Sequence, residues 1–127
     1  MSLIAATTAL GLLVPDRSAA GRTARRKGAA NEVALVNWLR VNGWPDARRT
    51  LAGDGLQPGD IDAIPGVCIE MRARQECKPG SWMVDAERQA AGRLAVVVYH
   101  PPRVADPGQW VGMVRLAKLA HLLDPAS

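Results

Sequence analysis

Four charged side chains sit in two short stretches where polar and apolar residues alternate. Asp60 and Asp62 belong to Asp60-Ile61-Asp62-Ala63-Ile64, and Glu70 and Arg72 to the run from Val67 to Arg72. Alternate residues of an extended chain share a face, so each pair projects together. Pro65-Gly66 between the stretches makes a tight turn, and the whole reads as a β-hairpin. One register of that hairpin brings all four side chains to one side. Carboxylates a few ångströms apart raise each other's pKa unless a divalent cation neutralises them. Hard oxygen donors of this kind suit Mg²⁺ or Mn²⁺, which keep several waters and accept phosphate oxygens. A positive side chain beside the metal then stabilises charge building on a phosphodiester. Taken singly, each of these residues is equally an ordinary surface charge, and an exposed Glu–Arg pair contributes little.

A third acid adds to the cluster. The pattern around residues 29–42 predicts a helix, stopped by Gly43, whose buried stripe is Leu35, Val36 and Leu39. Glu32 precedes those residues by three, four and seven positions and so falls on the same stripe. A carboxylate there is costly unless paired or metal-bound. The alternative is a place in the first helical turn, fraying outward and complementing the helix dipole. Just upstream, residues 16–28 carry Arg17, Arg22, Arg25, Arg26 and Lys27 among small residues. Such a run reads either as a solvated flexible arm or as a set of phosphate contacts that release counterions on binding.

These residues need a scaffold. Arg48-Arg49-Thr50-Leu51 suggests a strand, followed by a flexible stretch up to Gly59. After a polar loop, residues 82–93 have helical character, and residues 94–99 form the strongest strand, apolar on both faces. A helix between two strong strands implies a right-handed parallel crossover. A further strand is expected around residues 110–114, then a helix over about 115–123 with Leu116, Leu119, Ala120 and Leu123 facing inward. The result is α/β, one mixed sheet with helices against it. Trp38, Trp44, Trp82 and Trp110 read as core or dimer-interface residues, and Tyr99 and His100 as a strand terminus or a DNA-lining pair.

Composition narrows the class of function. The 127 residues make about one domain, and 48% apolar with 22% charged residues excludes a disordered, collagenous or fibrous chain. Sixteen Lys and Arg, thirteen of them Arg, against twelve acids give a net charge of +4, which favours a polyanionic partner. Cys68 and Cys77 make neither a disulfide framework nor a zinc site. Residues 1–14 are apolar, too short to span a bilayer, and lack the marks of a signal peptide, so they suggest a short helix, a loose extension or a dimer contact. The expectation is a cytoplasmic protein with no membrane partner.

The order Arg26-Lys27-Gly28, helical Glu32, Gly59-Asp60-Ile61, Pro65-Gly66 and Ile69-Glu70-Met71-Arg72 resembles the PD-(D/E)XK nuclease superfamily. Within it, the chain looks most like the small Holliday junction resolvases of archaea, phages and related bacterial elements. The resemblance covers roughly residues 25–99, with a weaker echo in 100–103. It implies a restriction-endonuclease-like α-β-β-β-α-β core in residues 25–127, preceded by an extension and basic arm in 1–24. It also implies that Asp60 and Glu70 ligate Mg²⁺, with Mn²⁺ able to substitute. Glu32 would join directly or through a water, and the Met71 carbonyl would complete the protein ligands. Arg25, Arg26, Lys27, Arg48 and Arg49 would contact DNA, and Gln89 would line the site. The implied partners are branched or duplex DNA and a second copy of the chain, since a two-fold junction matches a homodimer.

The sequence departs from the family's pattern at one place. The usual lysine of the third motif position is Arg72 here. Arginine stays protonated, so it can orient a water or stabilise a pentavalent phosphate but cannot act as general base. Lys78, on a nearby loop, could stand in for the lysine. Two other readings stay open beside a junction resolvase acting in recombination or repair. One is a catalytically impaired DNA-binding protein on the same fold, and the other is a restriction- or repair-type nuclease acting on other DNA structures.

Overall fold

The structure is a computed structural model that describes residues 17–50 and 59–126, with side chains from residue 28 onward. Residues 1–14, the stretch 51–58 and the side chains of Arg25, Arg26 and Lys27 lie outside the described residues. The first helix, α1, spans Arg17–Val41. It therefore starts twelve residues before the expected position, and the backbone of the basic run is helical. Alanine and arginine are among the best helix formers, and Gly21 and Gly28 each cost only about 1 kcal/mol against them. The helix ends where Gly43, at φ 115°, lets Trp44 N–H turn back to the Leu39 carbonyl at 3.0 Å.

Five strands follow in one sheet: β1 (Arg48–Arg49), β2 (Ile61–Asp62), β3 (Val67–Arg72), β4 (Leu94–Tyr99) and β5 (Val111–Met113). They lie side by side in chain order. The β3–β4 pair is parallel and the other neighbours are antiparallel. Helix α2 (Pro79–Ala90) makes the crossover between the parallel strands, and α3 (Leu116–Leu123) closes the chain. The fold is thus α/β with a mixed sheet, as the alternation of patterns suggests. The expected hairpin turn is present, with Val67 N–H bonded to the Ile64 carbonyl at 3.1 Å across Pro65-Gly66.

Each face of the sheet has its own core. On one face Leu35, Val36 and Leu39 of α1 pack with Ile61, Ile69, Met71 and Trp110. On the other, Trp82, Met83, Ala86 and Ala90 of α2 pack with Cys68, Ala95, Val97 and Tyr99. The alternation of β3 is therefore real, with Ile69 and Met71 directed to α1 and Cys68 to α2. Trp82 and Trp110 are core residues, and Trp38 packs at the margin of the α1 core. Tyr99 is buried, 5.3 Å from the Trp82 ring, with its hydroxyl donating to the Arg74 carbonyl at 3.0 Å.

The last helix departs from expectation. No residue of α3 is buried, and Leu116 and Leu123 are 79% and 71% exposed. Periodicity correctly marks an apolar face on this helix, but it carries no information about what covers that face. No helix of the described residues is long and apolar enough to cross a membrane.

One glycine sets the geometry at the head of the hairpin. Gly59 has φ 89°, and a Cβ there would lie 2.7 Å from the Ile69 carbonyl oxygen and 3.0 Å from Cys68 Sγ. The close approach seats Asp60 against β3. Gly59→Ala is expected to cost about 2–4 kcal/mol, because backbone strain and a clash with a carbonyl add. Gly66→Ala, at φ 78° with nothing within 4 Å of the added carbon, is expected to cost about 1 kcal/mol. Urea unfolding of both variants checks this; equal losses would mean that the close approach is not the constraint.

Candidate active site

Asp60 stands where β2 leaves β3. Its N–H donates to the Ile69 carbonyl at 2.8 Å and its carbonyl accepts from Thr50 N–H at 3.0 Å. The carboxylate Oδ2 accepts the Met71 N–H at 2.8 Å, taking the place of a strand carbonyl. The Thr50 hydroxyl, donating to the Gly59 carbonyl, braces the same corner. Asp60 is therefore held by the hairpin backbone itself.

Glu70 is the one buried charged residue among the described residues, at 4% exposure. It extends from the α2 face of β3, the face of Cys68 and Arg72. Burial pushes its carboxyl up to about 7, and the charge of Asp60 and a hydrogen bond with it push the same way. The Arg72 guanidinium opposes this from 3.6 Å, and the charge of Glu32 adds a smaller upward push. Cys68 beside them is pushed up by burial and then by the Glu70 charge, as an inert, buried thiol should be. Asp60 and Glu70 thus meet as two like charges with too little positive charge nearby.

The other acids are drawn elsewhere. The β1–β2 register sets Arg48 opposite Asp62 and Arg49 opposite Ile61, so the two arginines occupy opposite faces. Arg48 Nη2 lies 3.1 Å from Asp62 Oδ2, so a guanidinium offsets the Asp62 charge. Arg49 Nε donates to Glu32 Oε1 at 2.9 Å. Glu32 does lie toward the apolar side, largely shielded, and it is deep inside α1, so the first-turn alternative does not hold. Its partner is Arg49 and not a third ligand position. Among the described residues, no three His, Cys, Asp or Glu side chains gather closely enough to hold a metal ion.

The remaining expected site residues divide in the same way. The Met71 carbonyl accepts from Arg72 Nη1 at 3.1 Å, so the guanidinium occupies the oxygen expected to serve as a ligand. Arg48 and Arg49, expected at DNA phosphates, are each held by a carboxylate. Gln89 is exposed, at the margin of the α2 face formed by the buried residues Trp82, Met83, Ala86 and Ala90. Lys78 is exposed 4.0 Å from Glu76, at the start of α2. The tether from the Met71 amide was not foreseen, since backbone donors have no sequence signal. The Glu32–Arg49 bond had one: adjacent arginines on a strand must face both ways.

No protein-family model, curated protein or solved structure matches the chain. Two adjacent carboxyls, one buried and hard to ionise, fit a divalent cation, which one or two carboxylates commonly hold with waters completing the shell.

A Glu with a raised native pKa binds a proton that the unfolded chain has released. Its contribution is neutral below about pH 4.5, and a destabilisation builds as pH rises from there and is complete above about 7. In chelator, Glu70→Gln is therefore expected to match the parent near pH 4 and exceed it by about 1–3 kcal/mol at pH 8. Urea unfolding at both pH values checks the sign.

Proposed function

We propose that this chain is a metal-dependent, structure-specific DNA endonuclease of the Holliday junction resolvase type. The observation that supports it is the contact between Asp60 and Glu70 on a hairpin, with the Arg72 guanidinium 3.6 Å from Glu70. Asp60 and Glu70 would hold Mg²⁺, which supplies Lewis-acid polarisation of a phosphodiester and an acidified water. Asp60, fixed by the Met71 amide, keeps its carboxylate oriented without reorganisation. A cation beside Glu70 would offset the burial and the Asp60 charge that raise its pKa, and so favour its charged form. Arg72 keeps its proton and stabilises charge on the phosphoryl oxygens, so no residue of this motif serves as base. Glu32, held by Arg49, acts from a distance through its charge and through any water it orients. Outside the site, a net charge of +4 and the arginines of α1 favour a nucleic acid backbone. The uncovered leucines of α3 offer a surface for the second copy that a two-fold junction calls for.

Asp60→Ala and Glu70→Ala are each expected to lower Mg²⁺-dependent nicking of a four-way junction by at least about a thousandfold, with junction binding kept. Glu32→Gln is expected to lower nicking about 10–100-fold, as for residues that support a ligand without being one. Labelled junctions in a gel assay read both quantities, and cutting that survives loss of Asp60 and Glu70 removes this assignment. Flap and linear duplex substrates in the same assay separate a junction resolvase from a restriction- or repair-type nuclease.

A second reading, a DNA-binding protein that no longer cuts, is favoured by two observations. Arg49 occupies Glu32, leaving two carboxylates together, and the charge beside them is a guanidinium. Arg72→Lys separates the readings. For an active nuclease it should keep nicking within about tenfold and change its pH profile, because lysine can titrate. If the parent shows no nicking with Mg²⁺ or Mn²⁺ and the variant gains it, the chain is the binding protein.

A further inference from the structure

We propose that the cleft at the C-terminal ends of β3 and β4 receives one unpaired nucleotide of the bound strand, its phosphate on Arg74 and its base against His100 and Asn31. The inference rests on the nuclease reading and deepens it by naming the feature of the substrate. The cleft has a volume of about 380 Å³ and lies between α1 and the two loops that follow the parallel strands. That position is where open α/β sheets place their ligands. The size is at the lower end for small-molecule sites, enough for a nucleotide and too small for a duplex.

Its walls are chemically suited to both halves of a nucleotide. His100 is fixed on three sides. Its N–H continues the sheet ladder to the Arg72 carbonyl at 2.8 Å, and its ring stacks on Trp110 at 4.2 Å and 23°. Its Nδ1 lies 3.0 Å from Asn31 Oδ1. An amide oxygen only accepts, so Nδ1 donates, and in the neutral ring Nε2 is left to accept a base N–H. Trp110 is itself anchored by its indole N–H, which donates to the Val104 carbonyl at 2.7 Å. Pro101 and Pro102 give the cleft an apolar wall, and Gln75 adds a second carboxamide.

Arg74 supplies the charge. Its backbone is pinned by the Tyr99 hydroxyl at 3.0 Å. Arg48, Arg49, Arg72, Arg88 and Arg115 each lie within 2.8–3.6 Å of a carboxylate. The Arg74 guanidinium has no such partner among the described residues, and a planar fork of donors left open suits a phosphate. From Glu70 to Ala73 along β3 is roughly 10 Å, about three nucleotides of duplex rise and fewer in a stretched strand. A strand passing the carboxyl pair therefore reaches the cleft within a few nucleotides. An enzyme with such a pocket selects DNA that can release a base there, as branched DNA does more readily than an intact duplex.

The test is binding without cleavage, by NMR of the two imidazoles, His100 and His121, in the full chain with chelator present. Thymidine monophosphate titrated across the millimolar range is expected to move the His100 resonances saturably and leave those of His121 in place. Arg74→Ala, an exposed substitution, should weaken that binding at least tenfold and leave the response to thymidine unchanged. Three results overturn the proposal: no movement at His100, an equal response to inorganic phosphate alone, or no effect of Arg74→Ala. Because no cutting is read, failure here is distinct from failure of the nuclease assignment, which the Asp60 and Glu70 variants decide.

Discussion

The contact of Asp60 with Glu70 is the constraint around which the hairpin is organised. Two carboxyls meet with one of them out of water, an arrangement that a folded protein tolerates only by holding a proton or a cation there. The rest of the hairpin enforces the meeting. Gly59 lets the chain pass against Ile69, and the Met71 amide fixes the Asp60 carboxylate. The α2 core, with Ala86 and Val97 fully enclosed, keeps the Glu70 side dry. Close backbone packing and desolvation thus coincide at one corner.

The distribution of arginine keeps that corner acidic. Arg48 and Arg49 alternate across β1 and neutralise Asp62 on one face and Glu32 on the other. Neither guanidinium is left to form a close pair with Asp60 and Glu70. Arg72 stands close, and part of its donor capacity goes to the Met71 carbonyl. The partial compensation matters: a closely paired Glu70 would ionise easily and hold a metal less well, because the cation would displace an existing partner. Arginine at this position keeps its proton, so in the proposed reaction it would act through its charge alone.

Around this centre the sheet presents two surfaces of different character. The ends of β3 and β4 open into a polar cleft whose histidine is immobilised by stacking and hydrogen bonding. The β5 side carries α3, whose leucines are largely exposed in the described chain. The first surface suits a flexible polyanion and the second an apolar partner.

Much of the scaffold was legible residue by residue. The alternation from Val67 to Arg72, the Pro65-Gly66 turn, the Leu35–Val36–Leu39 stripe and the apolar strand at 94–99 each follow from local periodicity, which the backbone obeys in place. The site was legible as an acidic pair on one hairpin face, because register over so short a turn has few alternatives. Three features were decided by the tertiary structure. Glu32 meets Arg49, seventeen residues away, through the packing of α1 on β1. Helix α1 includes the basic run from Arg17 on, because helix propensity outweighed the usual behaviour of such a run. Helix α3 keeps its apolar face exposed although its spacing is that of a buried helix. Periodicity assigns a side chain to a face, but the partner on that face depends on how distant segments pack, and no local pattern encodes that.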